Sequence, residues 1–314
     1  MRIGVAPAST RTCAAAIRSL LEQSSNSSSS IEVRAWYRDI AKAPSEFLSH
    51  ANFEAVKGDV SDASSFDFEG CDVIITVPPP FFKHENMVEL SENLSRNIKT
   101  AIEKSTTVKR LVMMSSMGAH LYDGVGEIKT KTAAERILVE TRIPRITVIR
   151  PAYFMENWAA QYPTLKAPEP SVFSYLTPSD WKLEMVSIKD VGKLAAKEAT
   201  ADAPQSTPVY ICEIQGPQKE GYSSLEVRDV LTKILGKEVN LQLIEKSKLP
   251  DFFGAFLPSG CVNEFVEMAS SFLQGGALNV NPDPQANVVH GDTSLESALE
   301  EAIREQEKIS GNSA

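Results

Sequence analysis

Basic residues, cysteines and long apolar runs are all scarce in this 314-residue chain, and each scarcity excludes something. Lys and Arg number 32 against 41 Asp and Glu, a net charge of −9, which does not suit a protein that tracks nucleic-acid phosphates. No apolar run approaches the roughly 20 residues needed to cross a bilayer, so no membrane partner is expected. The four cysteines (Cys13, Cys71, Cys212 and Cys261) show no C-x-x-C spacing, so neither a metal site nor a disulfide framework is expected. A strand-like run begins at Ile3 and leaves no room for a signal peptide, which points to a cytoplasmic protein. Hydrophobic residues at 42% supply a core for one large domain carrying a smaller lobe.

Up to residue 150 the chain alternates short Val- and Ile-rich runs with helical spacings. Ile3–Ala6, Ile31–Tyr37, Phe53–Lys57, Val73–Val77, Arg110–Met114 and Arg145–Ile149 read as strands buried on both faces. Cys13, Ile17, Leu20 and Leu21 share one helical face, as do Met87, Leu90, Leu94, Ile98 and Ile102. This order predicts an α/β fold, a Rossmann-like doubly wound parallel sheet, over residues 1–150. Residues 183–214 return to it, with strands expected at Met185–Ile188 and Val209–Glu213. A smaller α/β substrate lobe over the sheet's carboxyl edge is assigned to 151–182 and 215–282. Residues 283–314 hold a last strand and helix, then a loose tail from Ile309. Further helices are expected at Lys189–Thr200, Ser224–Leu235, Gly260–Leu273 and Ser294–Arg304, and Gln23–Ser30 reads as a solvated loop.

Glycine is missing where this fold usually needs it. The turn after the first strand normally carries a glycine-rich loop whose backbone amides approach a pyrophosphate. Here it reads Ala6-Pro7-Ala8-Ser9-Thr10-Arg11-Thr12-Cys13, with Pro7, Thr10 and Cys13 at glycine spacing. Pro7 removes a donor, and Thr10 puts a branched Cβ where phosphates come nearest. Two readings stay open. Ser9, Thr10, Arg11 and Thr12 can still attract an anion at a helix N-terminus, or dinucleotide binding has been given up. Arg38, ending the second strand, suits a ribose 2′-phosphate, and Asp59 ends the third strand where adenine would lie. Their ordinary structural roles are a pairing with Asp39 and a turn cap. The cofactor expectation is therefore none, or weakly bound NADP(H).

Several motifs resemble the NmrA-like branch of the atypical short-chain dehydrogenases. They are Val77-Pro78-Pro79-Pro80-Phe81, Leu111-Val112-Met113-Met114-Ser115-Ser116-Met117-Gly118-Ala119-His120, and Arg150-Pro151-Ala152-Tyr153-Phe154-Met155-Glu156-Asn157-Trp158. The triple proline and the last block are most similar to fungal alkaloid-pathway members of the festuclavine dehydrogenase kind. The resemblance implies a Rossmann domain with a small substrate lobe, usually NAD(P)H, and reductase or redox-sensing regulator activity. It also implies a lysine at Lys131, with Ser115 or Ser116 at the dehydrogenase serine position. Glu127 stands where the related tyrosine would be.

The loop from Gly118 to Glu127 places His120, Tyr122 and Glu127 at the mouth of the expected crevice, with Lys131 one turn further on. His120 or Tyr122 is the candidate proton carrier. Lys131 is the candidate for a lowered pKa or for holding developing negative charge; otherwise it pairs with Glu127 or Glu135. Pro79, Phe81, Phe82, Tyr153, Phe154, Asn157, Trp158 and Trp181 are candidate walls for a small apolar aromatic metabolite, although any one of them can be plain core. Glu156 is expected to tie down backbone. The expected function is a non-redox cyclisation, isomerisation or dehydration by acid–base chemistry. The alternatives are an NADPH-dependent reductase and a non-catalytic regulator, and only the regulator needs a protein partner.

Overall fold

All six strand candidates of the first half become strands of one sheet in the computed structural model, which describes residues 1–26, 30–79, 86–202 and 207–311. Counting that sheet alone, they are β1 (Arg2–Ala6), β2 (Glu32–Tyr37), β3 (Phe53–Lys57), β4 (Val73–Thr76), β5 (Arg110–Met114) and β6 (Arg145–Pro151). Two later segments join them, β7 (Val209–Gln215) and β8 (Asn287–His290). The order is β8-β7-β6-β5-β4-β1-β2-β3, with every pair parallel. The chain therefore winds outward from β1 in one direction and from β4 in the other. In sheets wound this way ligands bind at the switch point, here the carboxyl ends of those two strands.

Alternation along each strand feeds two cores. Ile3, Val5, Val33 and Val112 pack on one face under α1 (Arg11–Asn26) and α4 (Ile188–Thr200), through Ile17, Leu20, Val191 and Ala195. On the other face Ile74, Leu111 and Val148 pack under α2 (Met87–Lys104) and α3 (Lys129–Leu138), through Leu94, Ile98 and Leu138. The helical face read from sequence at Met87, Leu94, Ile98 and Ile102 is the buried face of α2.

The segments beyond β6 build their own apolar cluster from Trp158, Leu165, Val172, Leu183, Val227 and Leu231. Three small ladders frame it: Tyr153–Phe154 with Met185–Val186, Ser171–Ser174 with Asn240–Leu243, and Lys182–Leu183 with Tyr222–Ser223. Helix α5 (Ser224–Leu235) starts in a reciprocal capping box between Ser223 and Glu226 and ends at Gly236 with φ +63°. Helix α6 (Ser259–Ser271) follows, and α7 (Leu295–Gly311) closes the cluster with Leu299 and Ile303.

Three boundaries differ from the sequence reading. Met185–Val186 pairs with Tyr153–Phe154 rather than entering the main sheet, because the return to that sheet falls to Val209–Gln215. Helix α1 continues to Asn26, absorbing half of the serine-rich stretch; residues 27–29 lie outside the described residues. Helix α7 extends to Gly311, past the loosening expected at Ile309; Leu295, Ala298, Leu299, Ala302 and Ile303 bury its first half, and residues 312–314 lie outside the described residues.

Candidate active site at the carboxyl edge of the sheet

At the β1 turn, Pro7 offers no N–H. The Thr10 hydroxyl accepts the Cys13 amide at 3.3 Å, so the side chain at the second glycine position caps α1 itself. Cys13 is fully buried in the core below, and burial pushes its thiol pKa up to about 12. No non-glycine residue takes a positive φ among the described residues, so the turn has been rebuilt rather than strained into the glycine path. Arg11 Nη2 donates to Asn157 Oδ1 at 3.0 Å, which turns this cation toward the segment after β6. Ser9 is exposed and Thr12 buried. The turn thus presents a side-chain-capped helix start and a proline where the fold usually has glycines.

The ribose end differs. Arg38 is exposed, with no hydrogen-bond or ion-pair partner among the described residues; Asp39, its expected partner, instead accepts the Ala41 amide at 3.1 Å. Asp59 accepts the Ser61 amide at 2.9 Å and so caps its own turn. The buried Tyr37 hydroxyl, at the end of β2, has no partner among the described residues, and desolvation pushes its pKa up to about 12.

Helix α3 places two functional side chains four residues apart, on one face lying across the ends of β4 to β6. Lys131 Nζ donates to the Pro78 carbonyl at 2.6 Å, just past β4 and next to the switch point. Part of its stem still meets solvent, but the amine is enclosed, and desolvation lowers its pKa while nearby Glu127 opposes that shift. Lys131 therefore does not bond Glu135. Glu127 accepts a hydrogen bond from Thr130 at 3.2 Å.

Glu135 grips Arg150 in a two-pronged pair, Nε to Oε1 at 2.8 Å and Nη2 to Oε2 at 2.6 Å. Arg150 also donates to Asp283, and Ser115 Oγ donates to Glu135 Oε1, both at 2.5 Å. Glu213 stands beside Arg150 in the ladder between β6 and β7. Ser115, the nearer candidate for the dehydrogenase serine position, is thus tied into a buried ion cluster. Ser116 donates to the Met117 carbonyl at 3.0 Å. Glu135 was named from sequence only as a possible partner of Lys131, and Glu213 and Asp283 were not singled out. The available signal was a charge inside an apolar run, as in Ile149-Arg150-Pro151 and Cys212-Glu213-Ile214.

The 118–128 loop is packed under the lobe rather than open at a mouth. Ala119, Val125 and Ile128 pack against Met268, Phe272 and Leu278. Gly126, at φ +53°, lies so close to α6 that an added Cβ would collide with the Glu264 carbonyl. His120 Nε2 lies 2.9 Å from the Asn281 carbonyl, whereas Tyr122 is 66% exposed and faces solvent.

The aromatic candidates divide. Trp158 is buried in the lobe core with its indole N–H on Met185 Sδ at 3.4 Å, and Phe154 packs against the sheet core. Trp181 donates to the Phe272 carbonyl at 2.9 Å, fixing two lobe segments together. Phe253 meets Phe252 and Phe256 edge-on and Phe265 at a tilt, in a cluster of the lobe. Pro79 is partly buried beyond β4; Phe81, Phe82 and Pro80 lie outside the described residues. Tyr153 behaves differently. Its ring lies edge-on to Phe272, and its hydroxyl is within reach of both Asn157 and Tyr175, a residue the sequence reading passed over. Burial raises both phenol pKa values, so both protons stay in place. Glu156 accepts Ser187 Oγ at 2.7 Å and the Ile188 amide at 2.9 Å, fastening the start of α4. No group of three or more His, Cys, Asp and Glu side chains suited to a metal occurs among the described residues.

An eight-stranded, all-parallel sheet with helices on both faces defines a Rossmann-like α/β protein. The chain belongs to the NmrA-like family, whose model matches residues 2–305. Among solved structures, a triphenylmethane reductase from Citrobacter sp. in complex with NADP(H) superposes with a TM-score of 0.70 at 17% identity, covering 96% of this chain and 99% of that one. An NADPH-dependent quinone oxidoreductase from Escherichia coli gives 0.68 at 18%, with 96% and 99% covered. The negative transcriptional regulator NmrA in complex with NAD gives 0.69 at 16%, with 99% and 97% covered. At these identities the likeness carries the fold alone. No curated protein matches the chain in sequence. No described helix is long and apolar enough to cross a membrane.

Proposed function

We propose that the chain is a small-molecule enzyme of the specialised-metabolism type, performing acid–base rather than hydride chemistry in the switch-point crevice. The observation that carries this reading is the β1 turn, where Thr10 consumes an amide that a phosphate would need and Pro7 supplies none. No step through a nicotinamide is invoked.

Chemistry falls to Lys131 and the Tyr153–Tyr175 pair. Burial lets the Lys131 amine exchange its proton nearer neutral pH than an exposed lysine does. In its neutral form it removes a proton from carbon next to a substrate carbonyl. Tyr153 keeps its own proton and donates a hydrogen bond to the oxygen as negative charge builds there. The lysine then returns the proton at another carbon, completing an isomerisation. In a dehydration, the protonated lysine gives it instead to a departing hydroxide. Lys131 sits at the end of β4 and Tyr153 just beyond β6, two strand spacings or roughly 10 Å apart. A flat two- or three-ring metabolite with oxygen near one end fits that span. His120 and Tyr122 are not used, because one is bonded to the lobe and the other is in solvent.

The test is a calorimetric titration with NADPH and NADP⁺. Binding tighter than about 10 μM would overturn the non-redox reading.

A second reading, an NADPH-dependent reductase, is favoured by Arg38, which follows β2 with no partner among the described residues, and by the whole-length likeness to NADP(H)-bound reductases. It requires Arg38→Ala to weaken NADPH binding far more than NADH binding. A third, a regulator acting through a protein partner, is supported by the likeness to NmrA and predicts a stable complex without turnover.

A further inference from the structure

Two phenols meet just beyond β6, and their surroundings treat them unequally. The Tyr153 ring lies edge-on to Phe272 at 5.8 Å and 6.2 Å from the Trp158 ring, while the Tyr175 ring leans on Phe253 at 6.0 Å. Both rings are only partly buried against the lobe core. Packing thus fixes where the rings stand, and hydrogen bonds decide what their polar ends do. The two hydroxyls bond each other, and Tyr153 has a second partner in the Asn157 side chain. Each contact favours negative charge on the Tyr153 oxygen, as a donor does, whereas the contact with Tyr153 disfavours it on Tyr175.

The first residue of α1 accounts for the difference. A guanidinium carries only donors, so the Asn157 oxygen must face it, and Oδ1 lies 3.0 Å from Arg11 Nη2. The amide nitrogen is then left for Tyr153, to which it can only donate. A phenol oxygen has one proton and two acceptor positions. Asn157 and Tyr175 fill both acceptor positions of Tyr153, so its own proton is left for a third partner. Tyr175 has already given its proton to Tyr153.

We propose that Arg11 is a positioning residue which, acting through the Asn157 amide, makes Tyr153 rather than Tyr175 the phenol that offers its proton to a substrate. The inference rests on the reading that Tyr153 steadies negative charge on a substrate oxygen. Without Arg11 the amide is free to turn and present its oxygen to Tyr153. That oxygen would accept the phenol proton, hold Tyr153 neutral and withdraw its O–H from substrate. The charge of Arg11 acts in the same direction, and Glu156 is a further charged group that interacts with it. Arg11 is exposed, so salt screens its charge but not the orientation it imposes.

The test places a fluorinated tyrosine, which ionises nearer neutral pH than tyrosine, at position 153 of the full chain and follows phenolate absorbance against pH without substrate. Arg11→Met should raise the midpoint by about one unit, a tenfold loss of proton release, and Arg11→Lys, which keeps a charged donor, should restore most of it. Asn157→Leu should raise it as much, and Arg11→Met should add nothing further, because both act through one amide. Salt at about 1 M should leave most of the Arg11→Met difference in place. A midpoint unmoved by Arg11→Met, additive effects of the two substitutions, or a difference abolished by salt overturns the positioning role. Tyr153→Phe should lower turnover about 10²-fold or more. If it does so while the titration fails, the positioning role alone falls; full turnover in Tyr153→Phe overturns that role together with the reading beneath it.

Discussion

At the β1 turn the chain has replaced special backbone with ordinary side chains, whereas at the ends of β5 to β7 it has buried charge where apolar side chains would be simpler. Thr10 caps its own helix and Cys13 fills core. Arg150, by contrast, is 3% exposed between two carboxylates. A buried ion pair seldom stabilises more than a well-packed apolar substitute would, because each charge loses its water. Its presence here is explained by what it holds in place: the start of the final β8 connection, the serine after β5 and the helix that carries Lys131. The β1 turn is built from ordinary caps and core, and the buried ion cluster is where long-range geometry is specified.

The sharpest way to break that contrast is Arg150→Met. Glu135 and Asp283 would stay buried without their cation, at a cost of about 3–5 kcal/mol in denaturant unfolding. A loss below about 1 kcal/mol would mean the cluster positions nothing. Replacing Glu135 and Asp283 by Leu in the same variant should recover most of the stability.

Next in size is Lys131→Met, assayed on flat aromatic ketones and phenols selected by thermal shift. Turnover should fall about 10²- to 10⁴-fold, with the fold intact. Burial lowers the Lys131 pKa below its ordinary 10.5, so the wild-type rate should rise with pH through that lowered value. The charged amine is disfavoured in the folded state, so this residue's stability contribution also improves as pH rises. A rate that does not respond to the substitution removes Lys131 from the chemistry.

A smaller effect probes the other end. Pro7→Gly, Thr10→Gly and Cys13→Gly together should raise NADPH affinity about tenfold or more over the wild type. No gain, in a folded variant, would show that something other than the turn bars the dinucleotide. The smallest change is Tyr37→Phe. Removing a buried hydroxyl without a partner should leave stability unchanged or raise it by up to about 1 kcal/mol in a melting experiment. A clear loss would reveal an interaction for that hydroxyl.

Much of the fold was legible because burial writes a period into sequence. The Val and Ile runs marked β1 to β6, and the spacing of Leu94, Ile98 and Ile102 marked the inner face of α2. The helix at Ser224–Leu235 was readable to the residue, since Ser223, Glu226 and Gly236 punctuate both ends. Ends without such punctuation, at Asn26 and Gly311, were misplaced. The candidate site was legible only in part. Lys131 reaches the Pro78 carbonyl just past β4 and Tyr153 follows β6, both in motifs, while Tyr122 is carried into solvent by the same loop that buries His120 Nδ1. Tyr175, Glu213 and Asp283 have no motif, because each matters only through partners far along the chain.

By itself, then, the sequence determined the alternation of strands and helices, the family, and the loss of glycine at the first turn, all of them properties of neighbouring residues. Which charges meet was decided by the tertiary structure alone. The pairing of Arg150 with Glu135 and Asp283, and the meeting of Tyr153 with Tyr175, depend on strand order and lobe docking. An ionisable side chain takes its strength, and even its proton, from groups that packing brings within a few ångströms, and no local pattern records that distance.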